Sequence, residues 1–151
     1  MAAVASADSR QYPPRPIVGI GVVVWHGDRV LLVKRDKPPR RGQWSLPGGA
    51  QQLGETLAEA ARREVKEEVA LEIELGEIVA TLDLIEHDPD RRVRYHYTLI
   101  DFTAEAASPV LRPGSDAADA RWFTLSQIET LGLWSETVRV IKLARERRPC
   151  R

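Results

Sequence analysis

Little in this chain is suited to cross-linking, to anchoring in a membrane or to gripping a polyanion by charge alone. One cysteine, Cys150, stands in the polar ending RERRPCR, so no internal disulfide forms. That usage agrees with a reducing, cytoplasmic compartment. No apolar run approaches the ~20 residues that a spanning helix needs, so no membrane is expected as a partner. The opening MAAVASADSRQYPPRP lacks both a basic start and a sustained apolar core, and we do not expect a signal peptide there. The 22 basic and 22 acidic side chains cancel, which removes any general attraction to nucleic acid. Repeats and internal linkers are missing too. What is present, 151 residues, suits one domain with a real core. We expect a flexible N-terminal tail over residues 1–15, a single domain over 16–148 and a C-terminal tail over 149–151, with Pro13, Pro14 and Pro16 marking the entry to the fold.

Two β-branched runs, Ile17 to Trp25 and Arg29 to Arg35, read as strands joined by a hairpin turn at His26-Gly27-Asp28. His26 is best read as an exposed turn residue. Asp36 to Gln43 is a Pro- and Arg-rich loop whose Arg40-Arg41 pair is equally suited to solvent or to an anionic substrate. Trp44 reads as a packing residue. Leu71 to Glu86 alternates like a strand, with a break at Gly76, and Asp88-Pro89-Asp90 is a turn. Arg92 to Thr103 alternates strictly, with Val93, Tyr95, Tyr97 and Leu99 on one face. Ala104 to Ala118 reads as a loop and Ala120 to Thr124 as a short strand. Ser126 and Glu129 offer a capping box for a short helix. A closing helix from Ser135 carries Trp134, Val138 and Ile141 at helical spacing and a basic end. Strands, one helix, more strands and a closing helix indicate an α/β architecture with a mixed sheet between helices.

The informative stretch is Gly48 to Leu71, GGAQQLGETLAEAARREVKEEVAL. Thr56 and Glu59 form a capping box, and from Leu57 to Val69 no Gly or Pro interrupts a run of good helix formers. Around that helix Ala60, Ala61, Val65 and Val69 flank Leu57, while Arg62, Lys66 and Glu59 face water. Glu64 and Glu68 fall inside the apolar arc, and Glu67 at its edge. Carboxylates facing a core are costly unless something cationic meets them. No Lys or Arg is expected on that arc, so a bound metal ion is the economical explanation. Carboxylates without His or Cys nearby favour a hard cation, Mg²⁺ or Mn²⁺.

These residues also resemble the Nudix box: Gly49, then Glu55, Arg63-Glu64, the aliphatic Val65, Glu67-Glu68, and a small residue before Leu71. Every constrained position matches except one, where Ala70 stands for the usual glycine. If Ala70 takes the left-handed conformation of a helix end, it costs on the order of 1 kcal/mol. The resemblance implies an α/β/α sandwich with a mixed, partly curled sheet, spanning roughly Pro16 to Arg145. It also implies a metal shell of Glu64, Glu67 and Glu68 completed by a Gly48 carbonyl, with one glutamate doubling as base. Arg63 would clamp Glu55 or a neighbouring Glu. Asp116, with Glu105 behind it, is the candidate for a base on a distant loop. Arg35 is a candidate phosphate or ribose contact, and Tyr97 a candidate purine contact, although an aromatic stripe equally suits a core.

The activity implied is hydrolysis of a pyrophosphate bond in a small nucleotide. The stretches HYTLIDF and DAADARW look most like small ADP-ribose pyrophosphatases, which yield AMP and ribose 5-phosphate. Against this, Ile85-Glu86 stands where some ADP-ribose enzymes carry proline. The alternatives are a house-cleaning nucleoside triphosphate pyrophosphohydrolase of the mutator type and a Nudix-fold module that binds without cutting; the intact glutamates weigh against the last. An RNA-directed role lacks a basic stripe. Pairing of two copies as a homodimer is left open.

Overall fold

A computed structural model describes residues 10–37, 40–114 and 117–148. In chain order the elements are β1 (Ile17–His26), β2 (Arg29–Arg35), β3 (Trp44–Ser45), β4 (Gly48–Ala50), α1 (Leu57–Val69), β5 (Ile73–His87), β6 (Val93–Ala106), β7 (Ala117–Thr124), α2 (Leu125–Thr130) and α3 (Ser135–Glu146). The strands form one seven-stranded sheet in the order β3-β2-β1-β6-β5, with β4 paired to β1 and β7 to β2. β1 and β6 run parallel over Ile17↔Tyr97 to Trp25↔Glu105. The other pairings are antiparallel, so the sheet is mixed as expected.

β1 is apolar on both sides because both sides are covered. Ile20, Val22 and Val24 pack with Leu31 and Val33 against Ala60, Ala61, Val65 and Val69 of α1. Val23 and Trp25 point the other way, with Val30 and Leu32, onto Ile128, Val140, Ile141 and Ala144 of α2 and α3. The result is helix on sheet on helix. β1 changes partner along its length: Gly19, Ile20 and Gly21 pair with β4, whereas Trp25 and His26 pair with β2. That change leaves Gly48 and Gly49 beside the centre of the sheet. A Cβ on Gly48 would lie 1.8 Å from the Ile20 carbonyl oxygen, so only glycine allows this approach.

Several boundaries differ from the sequence reading. β6 continues to Ala106 and β7 starts at Ala117, because Glu105 and Ala106 pair with Glu74 and Ile73 and Ala117 pairs with Arg35. Gly76 does not end its strand; the register shifts between Leu75 and Ile78 and pairing resumes. The capping box of α2 is Thr124 with Gln127, two residues earlier than Ser126 with Glu129. Thr124 is extended at the end of β7, which frees its backbone for the cap. Trp134 occupies the cap position of α3 rather than its face. Within the stretch expected as a loose tail, Tyr12 donates its N–H to the Arg94 carbonyl at 2.7 Å and its hydroxyl to Asp88 at 2.8 Å. Among the described residues no helix is long and apolar enough to cross a membrane.

Candidate active site

α1 begins as its sequence requires. Thr56 accepts the Glu59 N–H at 3.1 Å, and Glu59 returns a bond to the Thr56 N–H at 3.1 Å. It ends at Ala70 with φ 59° and ψ 30°, a left-handed residue whose N–H reaches the Lys66 carbonyl. The expected strained helix end is therefore present. Glu68 is buried at 8% exposure, and the Glu64 side chain retains 14%. Glu67 leaves more than half of its side chain, 54%, in water.

The acids are met from within the chain, which corrects the expectation that no cation shares their arc. Arg63 donates through Nε and Nη2 to the two oxygens of Glu55, the latter at 3.0 Å, and through Nη1 to Glu64 at 2.8 Å and Glu67 at 3.2 Å. Its Nη2 also reaches the Ala50 carbonyl at 3.1 Å. The clamp on Glu55 is the role expected of Arg63, and it raises the guanidinium pKa further. The hydrogen bonds from Arg63 and the Gln52 N–H hold the Glu55 carboxyl below its ordinary range. Burial pushes Glu64 up, against the pull of Arg63. Glu68 accepts the Gly48 N–H at 3.0 Å. A Cβ on Gly49 would lie 2.5 Å from the Glu64 carboxyl, so the glycine pair lets the β4 backbone lie directly on both acids.

Among the described residues no three His, Cys, Asp or Glu side chains converge on one point as a metal cluster. Arg63 turns Glu64 and Glu67 towards itself while Gly48 holds Glu68, so the three-glutamate shell is not gathered in this conformation. The donors are nonetheless all oxygen and anionic, the chemistry that suits a hard cation. Of the two base candidates, Asp116 lies outside the described residues. Glu105 is engaged by a distant cation. It sits on β6 opposite Trp25 and is locked in a two-pronged ion pair with Arg148 at 2.7 and 2.9 Å.

A cleft opens beside Gly48, on the α3 face of the sheet. Arg35 and Tyr97 both line it, and so do Arg40, Trp134 and Asp101. Burial lowers the pKa of Arg35, with Tyr97 and Glu68 among the groups it senses. The Arg40 guanidinium lies 4.7 Å from the Trp134 ring centroid and pairs with Glu86 at 3.5 Å, which places Arg40 at the cleft wall. Trp44 packs edge-on against Phe123 at 5.1 Å, as a packing residue should, and also touches the cleft. Sequence reasoning missed Trp134 and Asp101 as cleft residues. The signal for Asp101 was available: continuing the alternation of Tyr97 and Leu99 by two places puts an acid on the same face, in the middle of the apolar run TLIDF.

A mixed sheet between helices thus carries a glycine pair laid against an acid-bearing helix, beside a cationic and aromatic cleft. The family model described as NUDIX domain matches residues 15–144, and the chain belongs to that family. It is 32% identical over 123 residues to a protein of Methanocaldococcus jannaschii named ADP-ribose pyrophosphatase, covering 82% of this chain and 70% of that one. It is 30% identical over 148 residues to the human protein named 8-oxo-dGDP phosphatase NUDT18, covering 90% of this chain but only 43% of that longer one. A MutT NUDIX hydrolase from Burkholderia pseudomallei superposes with a TM-score of 0.72 at 27% identity, over 85% of this chain and 98% of the other. The NUDIX domain of Shewanella oneidensis NrtR, solved with ADP ribose, has a TM-score of 0.70 at 24% identity over 88% of each chain, a likeness of fold alone. The protein is a Nudix pyrophosphohydrolase, of a family that generally uses divalent metal ions.

Proposed function

We propose that this chain hydrolyses the pyrophosphate bond of a nucleoside diphosphate joined to a second moiety, with ADP-ribose, cut to AMP and ribose 5-phosphate, as the first substrate to test. The observation that carries this reading is the double duty of Gly48. Its N–H holds Glu68 on one side, and the same residue lines the cleft with Arg35 and Tyr97 on the other. A pyrophosphate beside Gly48 therefore lies within reach of the acids while the rest of the nucleotide occupies the cleft. The Methanocaldococcus relative supports the choice of ADP-ribose.

Glu64, Glu67 and Glu68, with the Gly48 carbonyl, would hold Mg²⁺ or Mn²⁺. Such an ion supplies charge neutralisation at the phosphoryl oxygens and an acidified water. Arg63 positions Glu64 through its bond at 2.8 Å and is itself fixed by Glu55. Arg35 brings positive charge to the phosphates, and Tyr97 presents an aromatic wall to the base or ribose. Asp116 remains our candidate base.

The human relative, named 8-oxo-dGDP phosphatase, supports a second reading, a house-cleaning nucleotide pyrophosphohydrolase of the mutator type. Incubation with ADP-ribose, 8-oxo-dGDP and the nucleoside triphosphates, each with Mg²⁺ or Mn²⁺, separates the two. The first reading expects AMP and ribose 5-phosphate in equal amounts. Inertness towards ADP-ribose beside turnover of the deoxynucleotides would transfer the case to the second.

A further inference from the structure

Asp101 has no part in the chemistry above, and its surroundings do not explain it as a structural residue. It is 5% exposed, yet it lines the cleft. Among the described residues no hydrogen bond or ion pair reaches its carboxylate, and the cationic influence on it is the field of Arg139 on α3. Buried polar groups are almost always satisfied, and one left without a partner at the wall of a binding cleft points to a ligand that supplies it.

The backbone has been shaped around this side chain. Asp101 pairs with Gly21 across the parallel β1–β6 ladder, and a Cβ on Gly21 would lie 2.2 Å from Asp101 Oδ1. A glycine in the middle of the valine-rich β1 is unfavourable for a strand, so its presence has a packing reason. Here it leaves the carboxylate room to lie across β1. Gly21 also pairs with Gly48, which places Asp101 two strands from Gly48, roughly 10 Å at sheet spacing. Leu82, Leu84 and Leu99 supply apolar cleft wall, a setting for a flat ring.

We propose that Asp101 is a specificity-determining residue that accepts a hydrogen bond from an N–H donor on the ring edge of a purine nucleotide. Adenine offers one amino group there; guanine offers an amino group and an adjacent ring N–H, matching both oxygens of an ionised carboxylate. The proposal rests on the cleft being the nucleotide site, and it is tested by binding rather than by turnover.

The experiment is equilibrium titration of wild type, Asp101→Ala and Asp101→Asn with ADP, GDP and purine riboside 5′-diphosphate, whose ring edge carries no N–H donor. Wild type is expected to bind ADP or GDP at least about tenfold more tightly than the donor-free analogue, and the tighter of the two identifies the base. Asp101→Ala should reduce that ratio to near one, and Asp101→Asn, which keeps one acceptor oxygen, should recover part of it. A merely structural residue would weaken all three ligands together and leave the ratio unchanged. That outcome, or a wild type indifferent to the donor, would overturn the proposal. Donor-dependent binding by a protein that hydrolyses nothing would sustain it while removing the hydrolase reading.

Discussion

Two sets of carboxylates flank the centre of the sheet, and they differ in how they are satisfied. On the α1 side, Glu64 and Glu68 are covered by protein and each has a donor already in place, Arg63 for one and the Gly48 N–H for the other. On the α3 side, Asp101 is as deeply buried as Glu68 but has neither. Burial alone therefore does not describe a site. Paired acids are held in place before anything binds, here on Arg63 and the Gly48 N–H rather than on one shared point. An unpaired acid in an apolar wall carries its desolvation cost until a ligand relieves it, which is what selection among ligands demands.

The largest effect is expected from Glu68→Gln. The amide remains able to accept the Gly48 N–H, so the fold should persist, while metal-dependent hydrolysis falls by on the order of 10³-fold, as when charge stabilisation is removed from a reacting centre. Steady-state assays beside a thermal melt check both halves. Equal turnover in mutant and wild type would erase the distinction between the two sets of acids.

The other side of the comparison is sharpened by Asp101→Asn. Burial pushes the Asp101 pKa up to about 6 from 3.8. The folded protein thus holds this proton more tightly than the unfolded chain does. The favourable contribution is complete below pH 3.8 and is lost as pH rises through about 6. A shift of roughly two units corresponds to at most about 3 kcal/mol. Asp101→Asn should accordingly be more stable than wild type at pH 7, by up to that amount, with the gap closing below about pH 4. Denaturant melts across this range test it, and a mutant less stable at pH 7 would show the carboxylate to be satisfied after all.

The smallest effect belongs to neither set. Ala70→Gly should stabilise the protein by about 1 kcal/mol, because glycine removes the left-handed strain at the end of α1. Hydrolysis and base preference should both remain at wild-type level; a change in either would mean that the helix end reaches the site.

The sequence was most legible where local rules and tertiary demands agree. The capping box at Thr56 and the apolar arc of α1 could be read from spacing, and the strained Ala70 from the resemblance, where it stands for the usual glycine. The alternation of β6 likewise gave its faces. Legibility failed where one local pattern competed with another, as at α2, where Ser126 with Glu129 and Thr124 with Gln127 fit the same template. It failed also where partners come from distant chain. Nothing local ties Glu105 to Arg148, or brings Arg40 over Trp134. Arg63 was read as a clamp on Glu55 or a neighbouring Glu; it reaches Glu67 at i,i+4 helical spacing, and what spacing did not show is that it serves Glu55, Glu64 and Glu67 at once.

The most direct test of the central claim is calorimetric titration of Mn²⁺ into the protein with a non-hydrolysable ADP-ribose analogue present, comparing wild type with Glu64→Gln/Glu68→Gln. Saturable uptake by wild type and none by the double mutant is the expected result. Equal uptake by both, or none by either, would show that the inner acids of α1 serve only to hold Arg63 and Gly48 in place.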